Sequence, residues 1–285
     1  GKHVTFEQAA LSVHELNAPA WRNKKRADQW LSSMQLHVFP FIGTRQVSEI
    51  TAADILTVLS PIWVEKADTA KKIRQRLRMV IKWARAQGFY RGDDPVELAE
   101  QALPKVNASA SHFRAVSYDE LPSMIKRLRA SKISLPTQLA LEFLILTACR
   151  TTEVLGAQWN EVDLDDKLWV IPAIRMKSGK AHEVPLTERM TSVLRHAATL
   201  NVGGDFVFPS GISGRPLSNN TLRQALQKRL EVDATVHGMR SAFKDWAAET
   251  TNYANEVSEM ALGHVISNKV EAAYRRGNLL RKRRQ

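Results

Sequence analysis

Between His237 and Tyr274 the sequence collects a phenol, two imidazoles and a guanidinium: His237-Gly238-Met239-Arg240, then Leu262-Gly263-His264, then Tyr274 followed at once by Arg275 and Arg276. Such a set can attack a phosphodiester without a metal. A guanidinium holds two phosphate oxygens in its planar fork, an imidazole relays a proton near neutral pH, and a tyrosine hydroxyl forms a covalent ester. His-x-x-Arg is common by chance, so the weight rests on two pieces upstream. Arg150 follows an apolar run at Thr147-Ala148-Cys149, and an arginine at the edge of a core needs a partner. Glu153 offers one, and taken alone this segment reads as a structural Arg–Glu pair. Lys177 falls in Lys177-Ser178-Gly179-Lys180, the expected tip of a hairpin. There it can swing over a ligand, or stand in solvent as most turn lysines do.

The elements that must position these residues are mostly helical. Thr5-Phe6-Glu7-Gln8 is a capping box opening a helix to about Leu16. A second helix is expected from about Asn23 to Val38, stopped by Pro40, and another starts at Thr51-Ala52-Ala53-Asp54 and is interrupted by Pro61. From Thr69 to Gln87 the apolar residues Ile73, Leu77, Val80, Ile81 and Ala84 form one stripe at helical spacing. Lys71, Lys72, Arg74, Arg76, Arg78, Lys82 and Arg85 cover the rest with no acid among them. Like charges at i, i+4 repel by a few tenths of a kcal/mol each, so this helix reads as one with an anion beside it. Trp63, Trp83 and Phe89 read as core. Residues 104–116 are small, polar and aperiodic, a linker between a helical domain (1–103) and a second domain (117–285).

The second domain is expected to open with a capping box, Ser117-Tyr118-Asp119-Glu120, followed by a buried helix from Thr137 to Cys149. Strand signals run over Trp159–Leu164, Leu168–Ile171 and His182–Leu186, with an extended segment at Phe206–Pro209. Ser218 caps a helix reaching Leu230. A helix from Val236 to Thr250 carries His237 and Arg240 on one face near its positive end, which favours a bound phosphate. A further helix ends at Gly263, and Tyr274 sits on a short one starting near Asn268. The fold class is mainly α with a small antiparallel β-sheet.

Composition narrows the function classes. The chain has 285 residues and a formal net charge of +12, with a pI near 9.9, which points to a polyanionic partner, nucleic acid before membrane surface. No apolar window is long enough to span a bilayer, and no signal-peptide core opens the chain. The single cysteine, Cys149, excludes an internal disulfide and fits a reducing, cytoplasmic setting. As a protease nucleophile it is rejected, since it ends an apolar helix without a Cys–His motif. CxxC and HExxH spacings are absent, so no metal and no cofactor is expected.

Taken together, TACRTTEVLGAQW around Arg150, RMKSGKAHEVPL around Lys177, HGMRSAFKDWA around His237 and Arg240, LGH at His264 and AAYRR at Tyr274 closely resemble the tyrosine recombinases, the integrases of prophages and genomic islands above all. The resemblance covers nearly the whole chain. It implies a helical core-type DNA-binding domain and an α+β catalytic domain. It also implies roles: Arg150 and Arg240 clamp the scissile phosphate, Tyr274 attacks it, His237 accepts the phenol proton, Lys177 protonates the leaving oxygen, His264 hydrogen-bonds a phosphate oxygen and Glu153 supports the site. Lys24, Lys25, Arg26, Lys71, Lys72, Arg74, Arg78 and Lys82 are the expected DNA contacts. Partners are a double-stranded attachment-site core, three further copies in a tetramer on DNA, and DNA-bending accessory proteins; the free chain is expected to be a monomer. Ala148 departs from the family pattern, which often has Gly there, and bears on the helix end. With eleven residues after Tyr274 and nothing before the first core helix, the chain reads as part of a longer protein.

Competing functions are a type IB topoisomerase-like relaxation of DNA, a repressor that keeps the fold without the chemistry, and a basic RNA-binding protein. The motif match favours recombination over relaxation, and the intact residue set weighs against the repressor.

Overall fold

The computed structural model describes residues 3–21, 24–105, 114–201, 203–212, 214–264 and 277–285. They fall into two compact units, Gly1–Ser111 and His112–Gln285, so the expected linker lies partly outside the described residues.

The first unit is helical: α1 (Phe6–Asn17), α2 (Lys24–His37), α3 (Phe39–Ile42), α4 (Ala52–Trp63), α5 (Ala67–Ala86) and α6 (Pro95–Ala102). Thr5 and Gln8 close the capping box on α1, side chain to amide in both directions at 3.2 and 3.0 Å. Thr51 and Asp54 do the same for α4. The apolar stripe of α5 is fully buried at Ile73, Leu77, Val80, Ile81 and Ala84, and the chain leaves the helix through Gly88 at φ +75°, where a Cβ would be strained. Two prolines act differently from the sequence expectation. Pro40 opens α3 at its first turn, where a missing amide costs nothing. Pro61 lies inside α4 without ending it. Only one amide donor is lost there, a turn from the helix end, and buried Ile62 keeps that turn packed.

The second unit is built on α8 (Leu135–Thr147), which is buried on nearly every side. Around it stand α7 (Leu121–Ala130), α9 (Thr151–Leu155), α10 (Glu188–Thr199), α11 (Asn219–Gln224), α12 (Gly238–Thr250), α13 (Asn255–Ala261) and a terminal turn, Leu280–Arg283. A three-stranded antiparallel sheet runs β1 (Val162–Asp163), β2 (Leu168–Ile171), β3 (His182–Pro185), with Val162 opposite Trp169 and Ile171 opposite His182. Trp169 of β2 joins the sheet to α8 through Phe143, ring centroids 5.4 Å apart. The charged residue within α8, Glu142, is 2% exposed. It is held by Arg129 Nε at 3.0 Å and Arg189 Nε at 2.7 Å. Burial alone would raise its carboxyl, yet the two guanidiniums hold it below the ordinary value.

Two further expectations are corrected. Ser117 forms no side-chain cap; the segment winds as a tight turn that closes backbone to backbone, Glu120 amide to Ser117 carbonyl at 3.0 Å. The first strand shrinks to Val162–Asp163 because 159–161 take a 3₁₀ turn. The segment expected to be extended at Phe206–Pro209 makes isolated bridges, Phe206 to Gln158 and Pro209 to Pro216. The helix expected at Tyr274 lies outside the described residues.

Candidate active site

Arg150 and Glu153 take their places because α8 ends abruptly. Ala148 adopts the left-handed conformation, φ 50° and ψ 23°, turning the chain so that Arg150 caps α9. Glu153 is 2% exposed and accepts from both the Arg150 amide at 2.7 Å and Nη1 at 2.8 Å. The carboxylate thereby fixes backbone and side chain of one residue at once, leaving the arginine partly open to solvent.

The hairpin carrying Lys177 is tied to the same corner. Arg175 donates to the carbonyls of Gly156 and, at 2.7 Å, of Glu153. A Cβ on Gly156 would meet the Arg175 guanidinium at 2.8 Å. Met176 is buried against Gly263, where an added Cβ would lie 3.2 Å from its methyl. With both neighbours anchored, Lys177 projects from the exposed tip. Sequence reasoning missed Arg175 and Met176; the only signal was their adjacency to Lys177.

His237 and Arg240 open α12. Gly238 is required between them: the backbone of Arg114 passes so close that a Cβ would lie 2.2 Å from its carbonyl oxygen. Gly238→Ala is expected to destabilise the fold by about 2–3 kcal/mol, read as a lowered urea midpoint; an unchanged midpoint would show that this crossing is not tight.

Arg240 is 5% exposed. Its Nη1 donates to the Ala148 carbonyl at 2.5 Å, its Nη2 to the Leu262 carbonyl at 2.8 Å, and Nη2 also lies 3.0 Å from His264 Nε2. Among the described residues no carboxylate pairs with it directly. Burial, then Arg150, pulls its pKa below the ordinary value. His237 is depressed too, by burial first and then by Arg240, Arg150, His264 and Lys177, so all five groups share one electrostatic neighbourhood and His237 is neutral near pH 7. His264 follows Gly263, which exits α13 at φ +64°; its Nδ1 lies 2.7 Å from Glu259 Oε2. Tyr274 is outside the described residues.

Under this corner, His182 is buried with Nε2 3.2 Å from the Ala261 carbonyl. Burial, then Arg283, holds it near pKa 4 instead of 6.5. Above pH 6.5 the folded and unfolded states bind the same proton count; below it the unfolded chain takes up a proton that the folded one refuses. Stability is therefore expected to fall as pH drops from 6.5 toward 4, by up to ~1.4 kcal/mol per unit. Urea unfolding at pH 7 and 5 measures this, and His182→Gln should flatten the slope. An equal slope in that variant would assign the effect elsewhere.

The cysteine is inert: burial pushes the Cys149 thiol up to about 12. A cavity of about 640 Å³ is lined by Leu121, Ile125, Phe243, Trp246 and Val257, and none of the five charged-site residues lines it. The expected DNA contacts divide. Lys24 opens α2, and Lys25, Arg26, Lys71, Lys72 and Lys82 stand on α2 and α5, the last five exposed. Arg74 pairs with Glu100 of α6, and Arg78 with Glu100 at 3.1 Å and Asp94 at 3.8 Å. The anion beside α5 is thus partly the protein's own. Trp83 and Phe89 pack on each other, centroids 5.9 Å apart.

Comparison with known proteins places the chain in a family. The chain matches the phage integrase central domain over residues 6–101 and the phage integrase family over 114–279. Prophage integrase IntZ of Escherichia coli K12 is 30% identical over 98% of this chain and 68% of its own length. Prophage integrase IntA of the same strain is 29% identical over 98% and 69%. A lambda integrase dimer bound to a COC' core site superposes with a TM-score of 0.76 at 19% identity, covering 98% of this chain and 79% of that one. A lambda integrase tetramer bound to a Holliday junction gives 0.75 at 19%, covering 93% and 79%. Fold and relatives define a tyrosine site-specific recombinase. Within that class, the chain belongs to the phage integrase family. No helix among the described residues is long and apolar enough to cross a membrane.

Proposed function

We propose that this chain cuts and rejoins double-stranded DNA at an attachment-site core through a 3′-phosphotyrosine, for integration and excision of a prophage or genomic island. The observation that carries the reading is Arg240: a buried guanidinium held by two carbonyls and an imidazole, beside Arg150, His237 and Lys177, with no carboxylate paired to it among the described residues. A phosphodiester is an anion that the remaining N–H groups of Arg240 can hold.

In this reading Arg150 and Arg240 bind the non-bridging oxygens and stabilise the charge that grows in the pentacoordinate transition state. The Tyr274 oxygen bonds to phosphorus as its proton passes to His237, which is neutral and able to accept it. The bond from phosphorus to the 5′-oxygen breaks, and Lys177 supplies the proton that makes it a hydroxyl. The ester conserves the bond for rejoining, so no energy source is needed. Glu153 keeps Arg150 in register. The Gly1–Ser111 unit grips the duplex through Lys25, Arg26, Lys71, Lys72 and Lys82, with Lys24 beside them. Arg74 and Arg78 contribute after exchanging Glu100 for phosphate. Recombination takes place in a tetramer on DNA formed from free monomers, with bending proteins assisting; the lambda integrase tetramer on a Holliday junction supports this assembly by likeness of fold.

The test is a nicked suicide substrate carrying the attachment core, incubated with the protein in EDTA. A covalent adduct on a denaturing gel, mapped by mass spectrometry to the Tyr274 peptide, is expected. Tight DNA binding with no adduct would move the assignment to a binding-only protein.

A further inference from the structure

The contacts of His264 decide where its proton sits. Arg240 Nη2 lies 3.0 Å from Nε2, and a guanidinium can only donate. Nε2 therefore accepts, with its lone pair turned to the arginine. On the other side Nδ1 is 2.7 Å from Glu259 Oε2, and a carboxylate only accepts, so Nδ1 carries the hydrogen. Glu259 is in turn fixed: its Oε1 is 2.6 Å from Lys244 Nζ, and Lys244 is anchored at 2.7 Å to Ser258 Oγ and also to Asn255. Lys244 first, helped by the bond from His264, holds the Glu259 carboxyl below its ordinary value, so it remains ionised.

We propose that Glu259, braced by Lys244, is a positioning residue for the reaction: it holds the hydrogen of His264 on Nδ1 and readies Nε2 to take a proton when phosphate displaces it from Arg240. The inference rests on the reading of His264 as a phosphate ligand. To donate to a phosphate oxygen through Nε2, the ring must carry hydrogen there. Neutral His264 in the tautomer above presents a lone pair instead, which repels the anion. A proton taken from solvent at Nε2 makes the imidazolium, with both nitrogens donating, one to phosphate and one to Glu259. The groups facing the ring are Arg240 and His237 at the start of α12, Lys244 further along it, and Glu259 on α13. The arginine, lysine and second histidine oppose that charge; among these groups only the Glu259 carboxylate favours it until the phosphate arrives.

Two measurements decide it. In wild-type protein labelled with ¹⁵N-histidine, free of DNA at pH 7.5, His264 should appear as the Nδ1–H tautomer; an Nε2–H tautomer overturns the proposal without any variant. In Glu259→Gln, checked for an unchanged melting temperature, the rate of adduct formation should drop about tenfold at pH 8, the effect of losing one charge-assisted hydrogen bond. The loss should shrink toward pH 6, where solvent supplies the ring's second proton more readily, and Glu259→Asp should recover part of it. An unchanged rate, or a loss equal at every pH, overturns the proposal. Absence of adduct from the wild type would sink the recombinase reading, while the tautomer measurement still decides the role of Glu259.

Discussion

Arg240→Lys is expected to slow covalent cleavage of the suicide substrate by about 10²–10³-fold, the usual loss on removing one preorganised donor to a transition-state oxyanion, and to destabilise the fold by about 2–3 kcal/mol. Both effects have one cause. The guanidinium spans the Ala148 carbonyl, the Leu262 carbonyl and the His264 ring in a single plane; those three bonds use three of its five N–H groups and leave two for phosphate. An ammonium is a point charge on a flexible stem and cannot hold two carbonyls and face the ligand together. At least one buried carbonyl then goes unpaired, which costs about 1–3 kcal/mol. Single-turnover kinetics and urea unfolding on the same preparation read both quantities. Cleavage within about threefold of wild type would remove Arg240 from the phosphate clamp, since even the smallest expected loss is tens of times larger.

Tyr274→Phe is expected to abolish the adduct entirely while leaving affinity for the attachment core within about twofold, because in the proposed reaction the hydroxyl is the reacting atom and not a binding contact of consequence. The other three tyrosines of the chain are accounted for. Tyr90 donates to the Ile50 carbonyl at 3.1 Å in the first unit. Tyr118 donates to Glu249 at 2.7 Å, a bond that raises its pKa to about 12 and makes it a poorer nucleophile. Tyr253 lines the apolar cavity, to which neither Arg150 nor Arg240 contributes. A free phenol is only about 0.1% ionised at pH 7, so the attacking one needs a base beside it, and His237, its pKa lowered by burial and by the neighbouring cations, is the proposed one. An adduct that persists in Tyr274→Phe and maps to Tyr253 would reassign the nucleophile.

What could be read from residue order was whatever depends on near neighbours. The Thr5 and Thr51 caps, the α5 stripe and the Arg150–Glu153 pair all join residues three or four apart. The prolines were harder, because whether Pro61 stops a helix depends on the packing of Ile62 and not on its flanking sequence. Long-range ties left no pattern to find. Arg74 and Arg78 meet Glu100 across more than twenty residues, which turned an all-basic helix into a partly neutralised one. Arg175 joins Gly156 and Glu153 by backbone carbonyls, and a carbonyl is present at every position. Glu259 stands five residues before His264 in a stretch whose apolar positions draw the eye, and its charge matters only once Lys244 of α12 is set opposite.

The way Arg240 is anchored also governs how the site can drift. A guanidinium seated on a carboxylate loses its seat in one substitution, whereas one seated on the main chain does not, because every amino acid at positions 148 and 262 brings the same oxygen. Side chains around the clamp can therefore turn over across generations while the arginine stays aimed. What would unseat it is a change of path: a branched residue forced into the left-handed turn at Ala148, or a single-residue insertion between Ala261 and His264. Inheritance at this corner acts on the course of the chain more than on its letters.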